Sequence, residues 1–258
     1  QSDSPPQGTV PHHRTIMSGP SLCLVLTGPT AAGKTGILEH LAAACGRPIE
    51  VISADAFQVY RGLDIGTAKP DPALLTRVPH HLVNIRDIKS PFNVGDFVKS
   101  AQALIPEILA RGALPVVCGG TVFYLKHLVF GLPESPPSDP LVRERLQARL
   151  AETGPDGLRN ELARVDPVSF ARIKPNDLYR LQRALEVWHA SGRPLSSFAP
   201  KTRDGPADFI LIGLSRPRDE LIARIDARVD AMFANGLAGE VAGLLISACI
   251  PASTPSAR

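Results

Sequence analysis

One segment near the start of the chain combines residue types and spacing that predict phosphate binding. Residues 28–35 read Gly-Pro-Thr-Ala-Ala-Gly-Lys-Thr and match the pattern G-x-x-x-x-G-K-[ST] without a mismatch. In this pattern, backbone N–H groups and the start of a helix surround phosphate oxygens, and Lys34 adds a positive charge. The hydroxyl of Thr35 is the candidate ligand for Mg²⁺. The predicted phosphate-binding residues are Gly28, Pro29, Thr30, Ala31, Ala32, Gly33, Lys34 and Thr35.

The alternative for this loop is a glycine-rich turn that only begins a helix. The apolar run 22–26 before the loop predicts a buried strand, and Ile37, Leu38 and Leu41 after it predict one apolar helix face. A loop between a buried strand and a helix is the context that the phosphate-binding pattern requires. The pattern does not distinguish ATP from another diphosphate, because both offer the same oxygens.

Asp55 is the second residue that could do chemistry. It follows a second predicted strand, residues 49–52. Because parallel strands end at the same edge of a sheet, we expect Asp55 to lie near the bound phosphates. Its carboxylate could bind a metal, act as a general base or cap a helix, and the spacing alone leaves these three roles open.

A third predicted strand, residues 114–118, ends in Gly119-Gly120-Thr121 where many nucleotide hydrolases carry an aspartate. Bare backbone and one hydroxyl at this edge suit the close approach of a flat or bulky ligand. The alternative is a strand-to-helix turn in which Thr121 caps the helix. The arginine-rich lid of a nucleotide kinase is not evident.

The elements needed to position these residues alternate along the chain, which predicts an α/β fold with a P-loop NTPase-like parallel sheet flanked by helices. Residues 134–202 contain only helix patterns and are interpreted as an all-helical insertion domain. The core is then 21–133 plus 203–247, preceded by a disordered leader (1–20) and followed by an irregular tail (248–258). We expect residues 53–92 to be rich in loops, with His80 and His81 in a loop and without a catalytic role.

Composition narrows the class of protein. The 258 residues are 44% hydrophobic and 21% charged, which is typical of a globular chain, and the net charge of +3 permits an anionic partner. No apolar run approaches the ~20 residues of a membrane-spanning helix, so we expect no membrane association. The four cysteines lack metal-binding spacing and favour a reducing, cytoplasmic compartment.

Several segments together resemble the bacterial tRNA dimethylallyltransferase (tRNA isopentenyltransferase) family. The segments are Gly28-Pro-Thr-Ala-Ala-Gly-Lys-Thr35, Ile52-Ser-Ala-Asp-Ala-Phe-Gln-Val-Tyr60, Gly62-Leu-Asp-Ile-Gly-Thr-Ala-Lys-Pro70, Val117-Cys-Gly-Gly-Thr121 and Asp177-Leu-Tyr-Arg-Leu-Gln-Arg-Ala-Leu-Glu186. The resemblance implies transfer of the dimethylallyl group of dimethylallyl diphosphate to the N6 amine of the adenosine on the 3′ side of the tRNA anticodon. It also implies that the phosphate loop holds this diphosphate with Mg²⁺. The implied partner is the anticodon stem-loop of tRNA, and we expect a monomer.

The resemblance also implies roles for individual residues. Asp55 matches the base that accepts a proton from the amine, and Arg228 matches an arginine that clamps the diphosphate. The residues that match tRNA contacts are Asp55, Ala56, Phe57, Gln58, Thr121, Arg143, Tyr179, Arg180, Leu181, Gln182 and Arg183. From the residues alone, Arg180 and Arg183 could equally form a solvated helix face paired with Glu186, and Arg228 the polar side of an amphipathic helix.

The carboxyl end departs from the family. The resemblance ends near Leu245, and the following residues predict a tail without the family's further tRNA-contacting motif, as in a truncated chain. Two other functions remain open at this stage. They are a P-loop kinase of small molecules and a prenyltransferase that acts on free adenine nucleotides. A non-enzymatic, nucleotide-dependent RNA-binding module is a further alternative, and it would need the basic insertion but not Asp55.

Overall fold

The computed structural model describes residues 21–198 and 206–249, without the side chains of 247–249. The predicted leader and most of the predicted tail lie outside the described residues. Five parallel strands form one sheet in the order β3-β2-β4-β1-β5. They are β1 (Leu22–Thr27), β2 (Ile49–Ser53), β3 (His80–His81), β4 (Leu114–Gly119) and β5 (Asp208–Gly213).

The central strands are apolar because both of their faces are covered. Every residue of β2 and β4 is buried. One hydrophobic cluster contains Phe97 and Ile105, and the cluster on the other side of the sheet contains Leu38 and Leu74. Parallel sheets require cover on both faces, so the predicted P-loop NTPase-like α/β fold is confirmed.

The helices of the core are α1 (Lys34–Ala44), α2 (Pro72–Arg77), α3 (Val94–Ala110) and α4 (Val122–Phe130). The prediction that His80 and His81 lie in a loop was wrong, although residues 53–92 are rich in loops as expected. They contain α2, which begins with an Asp71 cap on the N–H of Leu74, and β3, which pairs with β2 through His80 and His81. Elements of six and two residues are too short to show a hydrophobic period.

The insertion consists of α5 (Pro140–Val165), α6 (Pro167–Arg172), α7 (Leu178–Ser191) and a 3₁₀ turn (Leu195–Ser197). The sequence predicts a break in α5 between Thr153 and Gly157, and Gly154 lies there at φ 66°, outside helical geometry. These helices bury their own hydrophobic cluster, which includes Leu158, Leu162 and Leu185. The insertion therefore supplies its own core.

The last elements are α8 (Arg218–Ala234) and α9 (Leu237–Cys249), so helix continues into the predicted irregular tail. Neither the predicted apolar face of α8 nor strand β5 is buried: no residue of α8 is buried, and Leu211 in β5 is 54% exposed. Among the described residues, no single helix is both long and apolar enough to cross a membrane, although α8 and part of α9 meet those criteria together across a 61° bend.

Candidate active site at the ends of the central strands

The predicted phosphate loop joins β1 to α1. Gly33 has φ 100°, a left-handed conformation that other residues rarely adopt, and helix α1 begins directly after it. The ammonium of Lys34 donates hydrogen bonds to the carbonyls of Gly28 (2.8 Å) and Pro29 (2.9 Å). Burial lowers the pKa of Lys34, Cys118 and Asp55 oppose this effect, and Arg228 adds to it. Lys34 therefore lies close to both predicted catalytic residues.

Two arginines fix the outer side of this loop. Arg224 Nε donates to the carbonyl of Ala31 and Arg216 Nε to the carbonyl of Ala32, each at 2.8 Å. A loop that turns its N–H groups toward an anion must turn carbonyls outward, and these two bonds satisfy such carbonyls. Arg216 could not be predicted from the sequence, because its bond to the loop joins residues far apart in the chain.

Three cavities, of about 600, 130 and 440 Å³, share Thr35 and Arg228 in their walls. The smallest also contains Lys34, Asp55 and Gly120. The structure therefore brings the predicted base, the phosphate loop and the predicted clamping arginine to one cavity, as expected from strands that end at the same edge.

One oxygen of Asp55 caps a turn and the other is available to the cavity. Oδ1 accepts hydrogen bonds from the backbone N–H groups of Phe57 (2.9 Å) and Gln58 (3.2 Å). No donor among the described residues contacts Oδ2. Residues 56–59 form a turn and not a helix, so the alternative that Asp55 caps a helix is wrong. Asp55 caps this turn instead.

Thr121 links the end of β4 to the Asp55 segment. It precedes α4, but its side chain does not cap that helix; Oγ1 instead accepts the N–H of Ala56 at 3.1 Å. Gly119 is required by packing within the protein, since a Cβ there would lie 2.1 Å from the carbonyl oxygen of Ala54. Gly120 also lines the cavity, and a Cβ added there would have no neighbour within 4 Å. Of Gly119, Gly120 and Thr121, Gly120 is therefore the residue at which a ligand could approach bare backbone.

His80 lines the same cavity, although the sequence predicted it in a loop without a catalytic role. Its Nδ1 donates to the carbonyl of Val78 at 2.7 Å, and burial lowers its pKa. A pKa below the ordinary value of ~6.5 keeps the imidazole neutral at neutral pH. A histidine at the end of a strand could have indicated a position in the crevice. Strand β3 has only two residues, however, and shows no strand pattern in the sequence.

The residues predicted to contact tRNA divide by exposure. Phe57 and Tyr179 are 63% and 69% exposed, as a surface for RNA requires. Leu181 is only 1% exposed and packs in the insertion core, so its side chain supports the helix and is not available to RNA. The helical period explains this, because Leu181, Ala184 and Leu185 share one face of α7.

The basic residues of the same segment differ in their partners. Arg180 pairs with Asp177 at 2.8 Å and is largely exposed. Arg183 pairs with the buried Glu186 at 3.1 Å, while Arg143 lies 3.8 Å from the same carboxylate. The alternative pairing with Glu186 therefore holds for Arg183 and not for Arg180. Gln182, half-buried on α7, completes the segment.

A magnesium ion fits this site mainly through a bound diphosphate. Thr35 is exposed at the walls of the three cavities. Within residues 21–198 and 206–249, no group of three His, Cys, Asp or Glu side chains could hold a metal by itself. Mg²⁺ is commonly bound through one or two protein oxygens plus substrate phosphates, and a single hydroxyl beside a phosphate loop matches that arrangement.

A family model described as IPP transferase matches residues 58–257. The chain belongs to the IPP transferase family. The match passes Leu245, where the resemblance was expected to end, so it also covers most of the predicted tail. Of the family segments quoted from the sequence, the phosphate loop and Asp55 precede the matched residues.

Curated relatives in the IPP transferase family support the assignment over the whole core. The tRNA dimethylallyltransferase of Paracidovorax citrulli is 46% identical over 96% of this chain and 74% of its own length. The enzyme of the same name from an Acidovorax species is 49% identical over 91% of this chain and 75% of its own length.

Solved structures agree with these relatives. The tRNA isopentenylpyrophosphate transferase of Bacillus halodurans is 37% identical with a TM-score of 0.58, covering 88% of this chain and 70% of that protein. A eukaryotic dimethylallyltransferase acting on tRNA is 28% identical with a TM-score of 0.72, covering 88% of this chain and 56% of that protein.

Proposed function

We propose that the chain transfers the dimethylallyl group of dimethylallyl diphosphate to tRNA, at the N6 amine of the adenosine on the 3′ side of the anticodon. One observation carries the proposal beyond family membership. A single cavity of about 130 Å³ holds the phosphate loop, Arg228 and an available oxygen of Asp55. A prenyl transfer needs these two functions, leaving-group binding and amine activation, within one small volume.

The donor binds through its diphosphate. Backbone N–H groups of residues 30–35, Lys34 and Arg228 neutralise the negative charge that grows on the leaving group when the allylic C–O bond breaks. Mg²⁺, held by the Thr35 hydroxyl and the diphosphate, would supply further neutralising charge. Since an allylic carbon ionises readily once its leaving group is stabilised, this binding supplies the main driving force for bond cleavage.

The acceptor amine meets Asp55. The nitrogen forms a bond to the CH₂ carbon of the dimethylallyl group that carries the diphosphate, the bond from this carbon to the diphosphate oxygen breaks, and the proton of the amine passes to Asp55. A positioned carboxylate contributes roughly 10²–10⁴-fold in such a step. Because Asp55 Oδ1 is already bonded to the N–H groups of Phe57 and Gln58, Oδ2 is the oxygen that accepts this proton.

The adenosine reaches the cavity by leaving the base stack of the anticodon loop, which costs only a few kcal/mol in a loop. Phe57 and Tyr179 offer exposed aromatic rings to unstacked bases, and Arg180 offers a charged side chain to phosphates. Thr121 and Gln58 hold the segment that meets the target base. The anticodon stem-loop is thus the proposed partner, and we place the reaction in the cytoplasm with the chain acting as a monomer.

A transfer assay tests the proposal. The chain is incubated with unmodified tRNA, Mg²⁺ and dimethylallyl diphosphate labelled in its prenyl group, in the absence of ATP. We expect label in the tRNA, and mass analysis of a nuclease digest should locate it on one adenosine. Label in free AMP but not in tRNA would instead identify a prenyltransferase of free nucleotides. ATP-dependent phosphoryl transfer without prenyl transfer would identify a kinase.

A further inference from the structure

The loop formed by residues 62–70, here called the wall loop, faces Arg228 across the site. Asp64, Ile65 and Lys69 of the loop line the cavity of about 600 Å³ together with Arg228. Thr67 and Ala68 line the smaller cavity that contains Asp55. The position of the wall loop therefore determines the width of the space available to the donor.

Glu240 of α9 holds the wall loop by its backbone. Oε2 accepts the N–H groups of Asp64 (2.8 Å) and Ile65 (2.7 Å), and Oε1 accepts the N–H of Gly66 (3.0 Å). Three successive N–H groups converge on one carboxylate, an arrangement that binds anions. These bonds are charge-assisted and therefore stronger than neutral hydrogen bonds.

The same contact is close-packed. A Cβ atom added to Gly66 would lie 3.1 Å from Leu237 Cδ1 and 3.4 Å from Glu240 Oε1. A side chain at position 66 would therefore require the side chains of α9 to shift. The contact joins residues 174 to 176 positions apart in the chain, so it fixes the fold of two segments that are distant in sequence.

The opposite end of the wall loop is tied to the segment of the proposed base. Gln58 Nε2 donates to the carbonyls of Thr67 (3.2 Å) and Ala68 (3.3 Å), and the N–H of Gln58 bonds to Asp55. Lys69 adds bonds to Asp64 and to Asn84. The loop is therefore supported from the Asp55 side by Gln58 and from the Arg228 side by Glu240.

We propose that Glu240 is a positioning residue that sets the gap between the wall loop and Arg228, and through that gap the affinity for the prenyl donor. Helix α9 follows α8, which carries Arg228, so a bond from α9 to the loop fixes the two walls of the donor site relative to each other. This role rests on the proposed function, because it concerns the donor of that reaction. Glu240 does not contact the reacting atoms, so it acts only through the loop.

The experiment compares Glu240→Gln and Glu240→Ala with the unaltered chain and with Glu107→Gln, a control that removes an exposed carboxylate from α3. Hydrogen exchange of the peptide that covers residues 62–70 should become roughly tenfold faster in both Glu240 variants, because a tenfold change corresponds to about 1.4 kcal/mol and charged hydrogen bonds contribute that much. The KM for dimethylallyl diphosphate should rise by a similar factor. The KM for tRNA should stay within about twofold, since the loop faces the donor.

Glu240→Asp keeps the charge but shortens the side chain, and it should recover part of the donor affinity that Glu240→Ala loses. Titration with inorganic pyrophosphate provides a readout that needs no transfer, and its affinity should fall in the Glu240 variants alone. Unchanged exchange at residues 62–70, or faster exchange with unchanged donor KM and pyrophosphate affinity, would overturn the proposal. If the unaltered chain transfers no prenyl group, the proposed function fails, while exchange and pyrophosphate binding still decide the role of Glu240.

Discussion

Arg183 Nη1 lies 3.1 Å from Oε2 of Glu186, whose side chain is only 2% exposed. The other oxygen of Glu186 accepts the N–H of Asp139, and Arg183 Nη2 donates to the carbonyl of Pro136. Through these two bonds the Arg183–Glu186 pair of α7 holds the segment before α5 against helix α7. A residue that matches a tRNA contact in the family is here also a support of the insertion.

Arg183→Ala should consequently lower both stability and tRNA affinity. It leaves Glu186 buried with fewer donors, and the loss of one partner of such a pair costs about 2–4 kcal/mol in the free energy of unfolding. Urea denaturation gives the first effect, and a filter-binding assay with tRNA gives the second.

Arg180→Ala is the matched control on the same helix. Its pair with Asp177 is exposed, and an exposed pair contributes less than about 1 kcal/mol. We expect the unfolding midpoint of this variant to stay near that of the unaltered chain, while its tRNA affinity falls. If both variants lose stability equally, the distinction between an inward and an outward arginine is mistaken.

The features whose positions the sequence predicts correctly each have a local sequence pattern. The phosphate loop has a fixed spacing between a strand and a helix, and the break in α5 at Gly154 follows from glycine and proline next to each other. Asp55 could be assigned to the crevice because parallel strands end at one edge. In each case the relevant information lies within a few neighbouring residues.

The contacts that could not be predicted from the sequence are long-range. Arg216 and Arg224 bond to the phosphate loop from 184 and 193 positions away, and no local pattern of the chain contains such a pair. Glu240 likewise reads as an ordinary polar residue of α9 until the wall loop is placed against it. Leu181 is a different case. The helical period places it on the apolar face of α7 and so predicts its burial, but the resemblance matched it to a tRNA contact.

Asp55→Asn should separate catalysis from donor binding. The amide oxygen still accepts the N–H groups of Phe57 and Gln58, so the turn is preserved, but it takes no proton from the amine. We expect kcat to fall by roughly 10²–10⁴-fold, with the affinity for inorganic pyrophosphate changed by less than about threefold. Stopped-flow or quench measurements at saturating donor give kcat, and calorimetry gives the affinity. A parallel loss of both quantities would make Asp55 a metal ligand.

Cys118 should react slowly with thiol reagents. Burial raises the pKa of Cys118 to about 11 and that of Cys23 to about 12. Because the thiolate is the reactive form, at pH 8 Cys118 should react roughly a hundredfold more slowly than a free thiol of ordinary pKa, ~8.5. The measurement uses a chain in which Cys45 and Cys249 are replaced by serine, followed by mass spectrometry.

The unfolded form of the same chain is the internal control for this labelling, since both thiols should then react at the ordinary rate. Cys118 also lines the small cavity, so bound dimethylallyl diphosphate should slow its labelling further. Rapid labelling of the folded chain at pH 8 would mean that the cavity opens to solvent much more than the structure indicates.

Glu50 should make the stability of the core depend on pH. Its carboxylate binds Arg111 through both oxygens, at 2.9 and 2.7 Å, and His81 Nε2 lies 2.7 Å from Oε2. The hydrogen bond from Arg111 lowers the pKa of Glu50, burial opposes this, and His81 adds to the lowering. A carboxyl group whose pKa is lower in the folded state stabilises the fold above its unfolded pKa, ~4.3, and this contribution is lost as the pH falls through the folded value.

Glu50→Gln should therefore lower the urea midpoint at pH 7, and the difference from the unaltered chain should shrink as the pH is lowered from about 5 to 3. Glu39→Gln removes a carboxylate that pairs with Arg77 at the same 2.7 Å but on the surface, and its effect should be small at every pH. Denaturation curves at four pH values give these differences. A gap between Glu50→Gln and the unaltered chain that stays constant from pH 5 to 3 would show that the amide substitution acts through packing, because the substitution removes a carboxylate that titrates in this range.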